Sequence, residues 1–316
     1  KIILASQIKC PVWKGKHYIE KSFNIIREIA PNAIFGITMT AELCDNFNDR
    51  REGVKEIIAI IKKTQNKKYF FTGNIKKYFK KTPNHDSISS MNWLAPSRFL
   101  EKKISNALLV DFGSTTTDLT LILKNKSKNR HLNDFSRINN NELVYTGLTR
   151  TPIMSFDDII NINQKNKVNV IPELFSNTSD LYRVLDMLPK GVDLYESLDG
   201  RSKSKINCFK RLSRNFGFDF KKESKDLVIK ICKNIYEIQM KKIHFGIKEL
   251  ISRVNKQYKV PLIICGIGKS VLENYFKDKY KLIDFSDYMN GSKKIRLIAS
   301  YHAPAAACAF LISELN

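Results

Sequence analysis

Asp111-Phe112-Gly113-Ser114-Thr115-Thr116-Thr117-Asp118 stands between two apolar runs, Ala-Leu-Leu-Val at 107–110 and Leu-Thr-Leu-Ile-Leu at 119–123. Both runs have the length and composition of buried strands, so the eight residues between them form a β-turn-β element. A P-loop joins a strand to a helix and is excluded here. Gly113 allows a backbone conformation closed to other residues and lets successive amides point at an anion, while Ser114, Thr115, Thr116 and Thr117 add hydroxyl donors. Asp111 and Asp118 are hard oxygen ligands that can hold Mg2+, directly or through water. A threonine-rich hairpin with a tight turn is the purely structural alternative; an Asp at each end favours the phosphate grip.

Upstream, alternating apolar residues from Lys1 to Val12 read as a strand, and Ile19, Phe23, Ile26 and Ala30 recur at helical spacing. Residues 34–38 predict a second short strand, Val54, Ile57, Ile58 and Ile61 line one face of a helix, and 69–72 predict a third strand. Downstream, the polar residues 124–141 predict an exposed excursion, followed by a return to strand at 142–146. Leu227, Ile231, Ile235, Ile238, Ile243, Ile247 and Leu250 predict helix over 221–254, in one piece or two. The apolar residues 261–265 lead into Gly266-Ile267-Gly268, and a small-residue helix is predicted over 304–315. Strands alternating with helices argue for an α/β fold.

A chain of 316 residues with 43% hydrophobic content can bury a core for two domains or one two-lobed unit. No stretch approaches the roughly 18 consecutive apolar residues of a membrane-spanning helix. Six cysteines without a Cys-x-x-Cys pair suggest neither a zinc cage nor a disulfide framework. With no leader pattern at residue 1, the expectation is a cytoplasmic protein without a membrane partner. The net charge of +23 raises the question of nucleic acid. The lysines are spread along the chain among Asn and Ile with no nucleic-acid motif, so nucleic acid is not the expected partner. The clusters Lys76-Lys77-Tyr78-Phe79-Lys80-Lys81 and 203–214 read as solvated faces.

Two look-alikes fail. Asp111-Phe112-Gly113 copies a kinase metal motif without the other kinase signatures. Gly266-Ile267-Gly268-Lys269-Ser270 ends like a P-loop, yet the earlier glycine would fall at Ile263. What remains there is a glycine turn after a buried strand, a common ligand position in an open α/β sheet. The run from Gly36 to Asp45 offers Thr38, Thr40, Glu42 and Asp45 as ligands, a base or helix caps. The five histidines have no metal-ligand spacing, and no nucleophile triad is apparent.

Together these segments resemble the actin, Hsp70 and sugar-kinase (ASKHA) superfamily. Residues 111–118 are similar to its second phosphate loop, 266–270 to its adenosine-side glycine turn, and His302-Ala303-Pro304-Ala305-Ala306-Ala307 to its inter-lobe helix. The resemblance narrows to hydantoinase/oxoprolinase-like proteins linked to tetrahydromethanopterin C1 transfer and methanofuran biosynthesis. It does so on Cys10-Pro11-Val12-Trp13-Lys14-Gly15, Gly36-Ile37-Thr38-Met39-Thr40-Ala41-Glu42-Leu43, Asn92-Trp93-Leu94-Ala95, the phosphate loop at 111–118, Glu142-Leu143-Val144-Tyr145-Thr146-Gly147 with Arg150-Thr151-Pro152, and Asp199-Gly200-Arg201.

The resemblance implies a two-lobed, ribonuclease H-like α/β fold. Lobe I is expected over 1–105, lobe II over 106–300 with a helical insertion near 203–258, and the crossing helix over 301–316. The family opens with a strand and an Asp-Ile-Gly-Gly phosphate loop. This sequence opens at Lys1-Ile2-Ile3-Leu4-Ala5, similar to the strand after that loop, so the first phosphate loop is expected to be missing.

The function the resemblance implies is a transferase. It would join the phenol oxygen of tyramine or glutamyl-tyramine to an aminomethyl-furanmethanol diphosphate and release pyrophosphate. Glu42, Asp45 and Asp118 are then the catalytic candidates, the first two as base, with Asp111 and Asp118 holding Mg2+. Thr38, Thr40, Asn92, Arg150, Arg201, Gly266 and Gly268 would bind substrate by position in the matching motifs. Two other readings stand beside it: ATP as ligand, with phosphoryl transfer or oxoprolinase-type hydrolysis, and a non-catalytic polyanion-binding protein.

Overall fold

The computed structural model describes residues 1–63, 66–73, 78–81, 84–255 and 259–314. Lys76 and Lys77 of the first lysine cluster and Leu315 of the closing helix lie outside them. The chain forms two compact units, one of residues 1–107, 120–136 and 284–316, the other of residues 108–119 and 137–283.

Residues 1–11 form no strand, against the expectation from their alternating pattern. Ile2 N–H donates to the Asn290 carbonyl, but Ile3 and Leu4 are exposed. Apolar alternation makes a strand only where a neighbouring strand takes up its amides. Beyond a short turn come α1 (His17–Ile29), β1 (Phe35–Ile37), α2 (Arg50–Lys62), β2 (Lys68–Phe71), β3 (Phe79–Lys80) and α3 (Leu94–Leu100). A helix separates β1 from β2, and the two strands are parallel, as a helical crossover requires; β3 is antiparallel to β2. Asp49 caps α2 by accepting from Glu52 N–H at 2.8 Å. The predicted stripe Val54, Ile57, Ile58 and Ile61 is buried in one cluster with Phe70 and Ile88.

The predicted strand pair is β4 (Asn106–Phe112) and β5 (Thr117–Leu123). After it come β6 (Lys126–Ser127), α4 (Asp134–Asn139) and β7 (Leu143–Val144). The stretch 124–141 is therefore more than an exposed excursion: its Arg137 is buried because it pairs with Asp118 at 2.8 Å. A two-stranded ribbon, β8 (Ile159–Asn161) and β9 (Lys167–Asn169), precedes α5 (Thr178–Val184), α6 (Lys205–Arg214) and α7 (Lys225–Ser252). α7 is unbroken over 28 residues. Then follow β10 (Leu262–Cys265), α8 (Lys269–Phe276), β11 (Leu282–Asp284), α9 (Lys293–Tyr301) and α10 (Ala303–Ser313).

The larger sheet runs β11-β10-β4-β5-β6, with β7 also paired to β5. β10 lies parallel to β4 with Cys265 opposite Asp111. Parallel strands end at the same edge of a sheet, so this register places the turn at 266–268 beside the turn that begins at Gly113. In the first unit α10 approaches β1 at Gly36, where an added Cβ would stand 3.1 Å from the Cys308 carbonyl oxygen.

α5 and α6 are joined by a buried ion network. The Arg211 guanidinium contacts both oxygens of Asp180 at 2.7–3.1 Å and Asp199 Oδ1 at 2.9 Å. The 203–214 cluster is thus not simply a solvated face, since Arg211 is buried along with Phe209 and Leu212. Arg211→Met would leave the buried Asp180 carboxylate without its counter-charge and is expected to cost about 3–5 kcal/mol, read as a lowered thermal midpoint. An unchanged midpoint would contradict the pairing.

Candidate functional site

The loop after β4 is a tight turn: Gly113 N–H donates to the Thr116 carbonyl at 2.9 Å. Ser114 Oγ and Thr115 Oγ1 lie side by side, 3.4 Å apart, on half-buried residues. Thr116 is also half-buried. Thr117 differs. Its side chain is buried and donates to the Thr146 carbonyl at 2.9 Å, so it holds the loop down rather than presenting a donor to a ligand.

A second segment fastens the loop from behind. Leu148 N–H donates to the Gly113 carbonyl, and the Thr149 and Arg150 amides both donate to the Ser114 carbonyl, at 2.9, 3.1 and 3.0 Å. At Gly147 an added Cβ would stand 2.3 Å from the Ser114 carbonyl carbon and 2.4 Å from Thr115 N, so only glycine lets the two backbones approach this closely. The turn after β10 closes the third side. Gly266 has φ of +84° and would place a Cβ 2.4 Å from Asp111 Oδ1; Gly268 lies against the Phe112 ring and donates its N–H to the Phe112 carbonyl at 2.9 Å. Gly266 and Gly268, candidates for binding substrate, lie in close contact with β4.

Burial pushes the Asp111 carboxyl up to about 7, the negative charge of Asp118 adds to this, and a hydrogen bond from the Cys265 thiol opposes it. Asp118 is compensated by Arg137, which also donates to the Glu142 carbonyl at 3.0 Å. A cation beside Asp111 would offset both the burial and the repulsion. Among the described residues there is no group of three or more His, Cys, Asp or Glu able to hold a metal ion. The donors at hand are two carboxylates with hydroxyls nearby. That set suits Mg2+, which commonly takes one or two carboxylates and fills its octahedron with phosphate oxygens and water.

The remaining candidates are spread over both units. In the second, Arg150 is anchored to the loop through its amide and its side chain is exposed. Arg201 lies in a turn organised by Asp199, whose Oδ1 accepts the Arg201 amide at 3.1 Å; its side chain is 57% exposed. In the first unit, Glu42 Oε1 accepts from Ser90 N–H and Oγ at 2.7 Å and from Ser89 Oγ at 3.3 Å. Its Oε2 is buried without a hydrogen-bond partner among the described residues, as is Thr38 Oγ1. Thr40 and Asp45 are exposed, and Asn92 is half-buried just before α3. The cap of α2 is Asp49, so Glu42 and Asp45 do not cap that helix.

Residue-by-residue reasoning did not select Arg137, Gly147, Thr151, Thr178 or Gln239. Only Gly147 and Thr151 lie in the motif at 142–152, which marks the segment but not its contacts; Arg137, Thr178 and Gln239 stand outside every motif.

The hydantoinase/oxoprolinase family model matches residues 35–290. A protein of Methanocaldococcus jannaschii named (4-{4-[2-(gamma-L-glutamylamino)ethyl]phenoxymethyl}furan-2-yl)methanamine synthase is 29% identical over 283 residues, covering 88% of this chain and 83% of that protein. A protein of the same name from Methanococcus vannielii is 30% identical over 192 residues, covering 60% of this chain and 84% of that one.

Proposed function

This chain belongs to the hydantoinase/oxoprolinase family, and from that premise we propose that it is an aryl-ether-forming synthase of the kind its relatives' names describe. Its small-molecule substrates are an aminomethyl-furanmethanol diphosphate and tyramine or glutamyl-tyramine, and its pathway is methanofuran or methylofuran biosynthesis. The phenol oxygen forms a bond to the furylmethyl carbon. The bond from that carbon to the diphosphate oxygen breaks, and pyrophosphate leaves with the electron pair.

The single observation that carries this reading is the glycine-pinned turn at 113–116, bracketed by Asp111 and Asp118. A furylmethyl carbon tolerates positive charge, so the main demand on the enzyme is to stabilise a departing diphosphate. Oriented hydroxyls and a guanidinium would meet that demand. Ser114, Thr115 and Thr116 are assigned to the diphosphate, with Arg150 beside them. Mg2+, held by Asp111 and Asp118, would neutralise the leaving group when bound. The phenol proton is assigned to Glu42 or Asp45. Thr38, Thr40, Asn92 and Arg201 remain candidates for orienting substrate. The two-lobed ASKHA architecture is part of the proposal, supported by the β11-β10-β4-β5-β6 order and the parallel β10–β4 pair.

The test is incubation of the purified chain with Mg2+, the furanmethanol diphosphate and tyramine. Pyrophosphate release that depends on the amine supports the synthase; no such release, with ADP formed when the chain is incubated separately with Mg·ATP, would overturn it. Arg150→Ala is expected to raise KM for the diphosphate about 10- to 100-fold, since a hydrogen bond to a charged group contributes about 1.5–3 kcal/mol. KM for the amine should be little changed. Equal effects on both substrates would remove Arg150 from the diphosphate site.

A further inference from the structure

Gln239 sits in the middle of α7, fully buried, on a helix whose other buried positions include Val228, Ile231, Ile235 and Ile243. An amide there is costly unless its hydrogen bonds are made, and they are made. Nε2 donates to the Gly147 carbonyl and to Thr146 Oγ1, both at 2.9 Å, and Oε1 accepts from Tyr182 OH at 2.6 Å. The Gly147 carbonyl also accepts from Thr178 Oγ1 at 3.0 Å and Thr151 Oγ1 at 3.3 Å, while Gly147 N–H donates to Thr151 Oγ1 at 2.8 Å. The peptide that lies against Ser114 and Thr115 is thus held from three elements at once. All the side chains that hold it are buried.

Apolar residues would fill the same space at lower desolvation cost. What they could not do is fix the orientation of a peptide group. We propose that Gln239, with Thr178, is a positioning residue for the anion loop: by fixing the Gly147 peptide it sets the placement of the Ser114 and Thr115 donors and so the affinity for the diphosphate. This inference rests on the reading of 111–118 as a diphosphate site. It goes beyond that reading in placing the determinant on a helix that carries none of the residues assigned to the ligand.

The test is calorimetric binding of Mg·pyrophosphate to the full chain, which needs no organic substrate. Gln239→Met keeps length and helix propensity but removes both donors. Thr178→Val is an independent, nearly isosteric removal of another donor to the same carbonyl. Each is expected to weaken pyrophosphate binding about five- to tenfold, the value of one neutral hydrogen bond. Ile243→Val, a mild core truncation on the same helix, should lower the thermal midpoint and leave binding within about twofold. Wild-type-like binding by both polar variants would overturn the proposal, as would weakening by Ile243→Val in proportion to its lost stability. A wild-type chain that does not bind Mg·pyrophosphate would overturn the diphosphate reading itself, and this inference with it.

Discussion

Asp111→Asn lowers amine-dependent pyrophosphate release by about 100- to 1,000-fold, the usual cost of removing one preorganised group from a site of developing charge. The same substitution is expected to stabilise the metal-free protein above neutral pH. The Asp111 carboxyl titrates at about 7 in the fold because of burial and the Asp118 charge, against an ordinary value of 3.8. A group whose folded pKa is raised contributes stability that is fully present below its unfolded pKa and is lost as pH rises through the folded value. The penalty therefore develops between about pH 4 and 7 and is complete near pH 8. Its upper bound is about 4 kcal/mol, from three units at 1.36 kcal/mol each, and structural relaxation reduces it. Asn carries no such penalty. Metal-free Asp111→Asn should thus melt with the wild type near pH 4 and above it at pH 8, and added Mg2+ should narrow the gap by stabilising only the wild type. Identical melting at both pH values would remove the strained carboxyl from the account.

Gly147→Ala is expected to be severely damaging for a single methyl group. The new Cβ meets backbone atoms of Ser114 and Thr115 at 2.3–2.4 Å, and backbone cannot step aside as a flexible side-chain tip can. The three donors on its carbonyl prevent Gly147 from retreating. Overpacking of this kind costs about 3 kcal/mol, and a shift of the loop by about 1 Å would cost about 100-fold in rate. Gly200→Ala is the control: an added Cβ there meets nothing within 4 Å, and only the φ of +68° opposes it, at about 1 kcal/mol. Denaturant melts and steady-state rates on the pair check this. A Gly147→Ala protein no less stable and no less active than Gly200→Ala would contradict the described contact.

The β4-turn-β5 element was legible because two apolar runs flank a polar octet, and the helices at 17–29 and 50–62 because their apolar periods are clean. Family membership was legible because six separated motifs agree in order. The failure at residues 1–11 has a simple cause, since alternation describes a face and says nothing about whether a partner strand exists. Arg211 was misread with the lysines around it, because charge in a one-dimensional string does not reveal a buried Asp180 31 residues away. The clamp on the loop was illegible for the same reason: Gln239 lies 92 residues from Gly147, and a lone Gln on an apolar helix carries no local signal of what it holds. Local patterns report elements; long-range hydrogen bonds that aim a loop do not repeat and leave no pattern.

The central claim is that the phenol oxygen displaces the diphosphate held at 113–116. It is tested most directly by incubating the chain with Mg2+, the furanmethanol diphosphate and tyramine labelled with 18O at the phenol, and weighing both products. The account predicts that all label resides in the aryl ether and none in pyrophosphate. Label in the released phosphate species, or an unlabelled furan product, would contradict it.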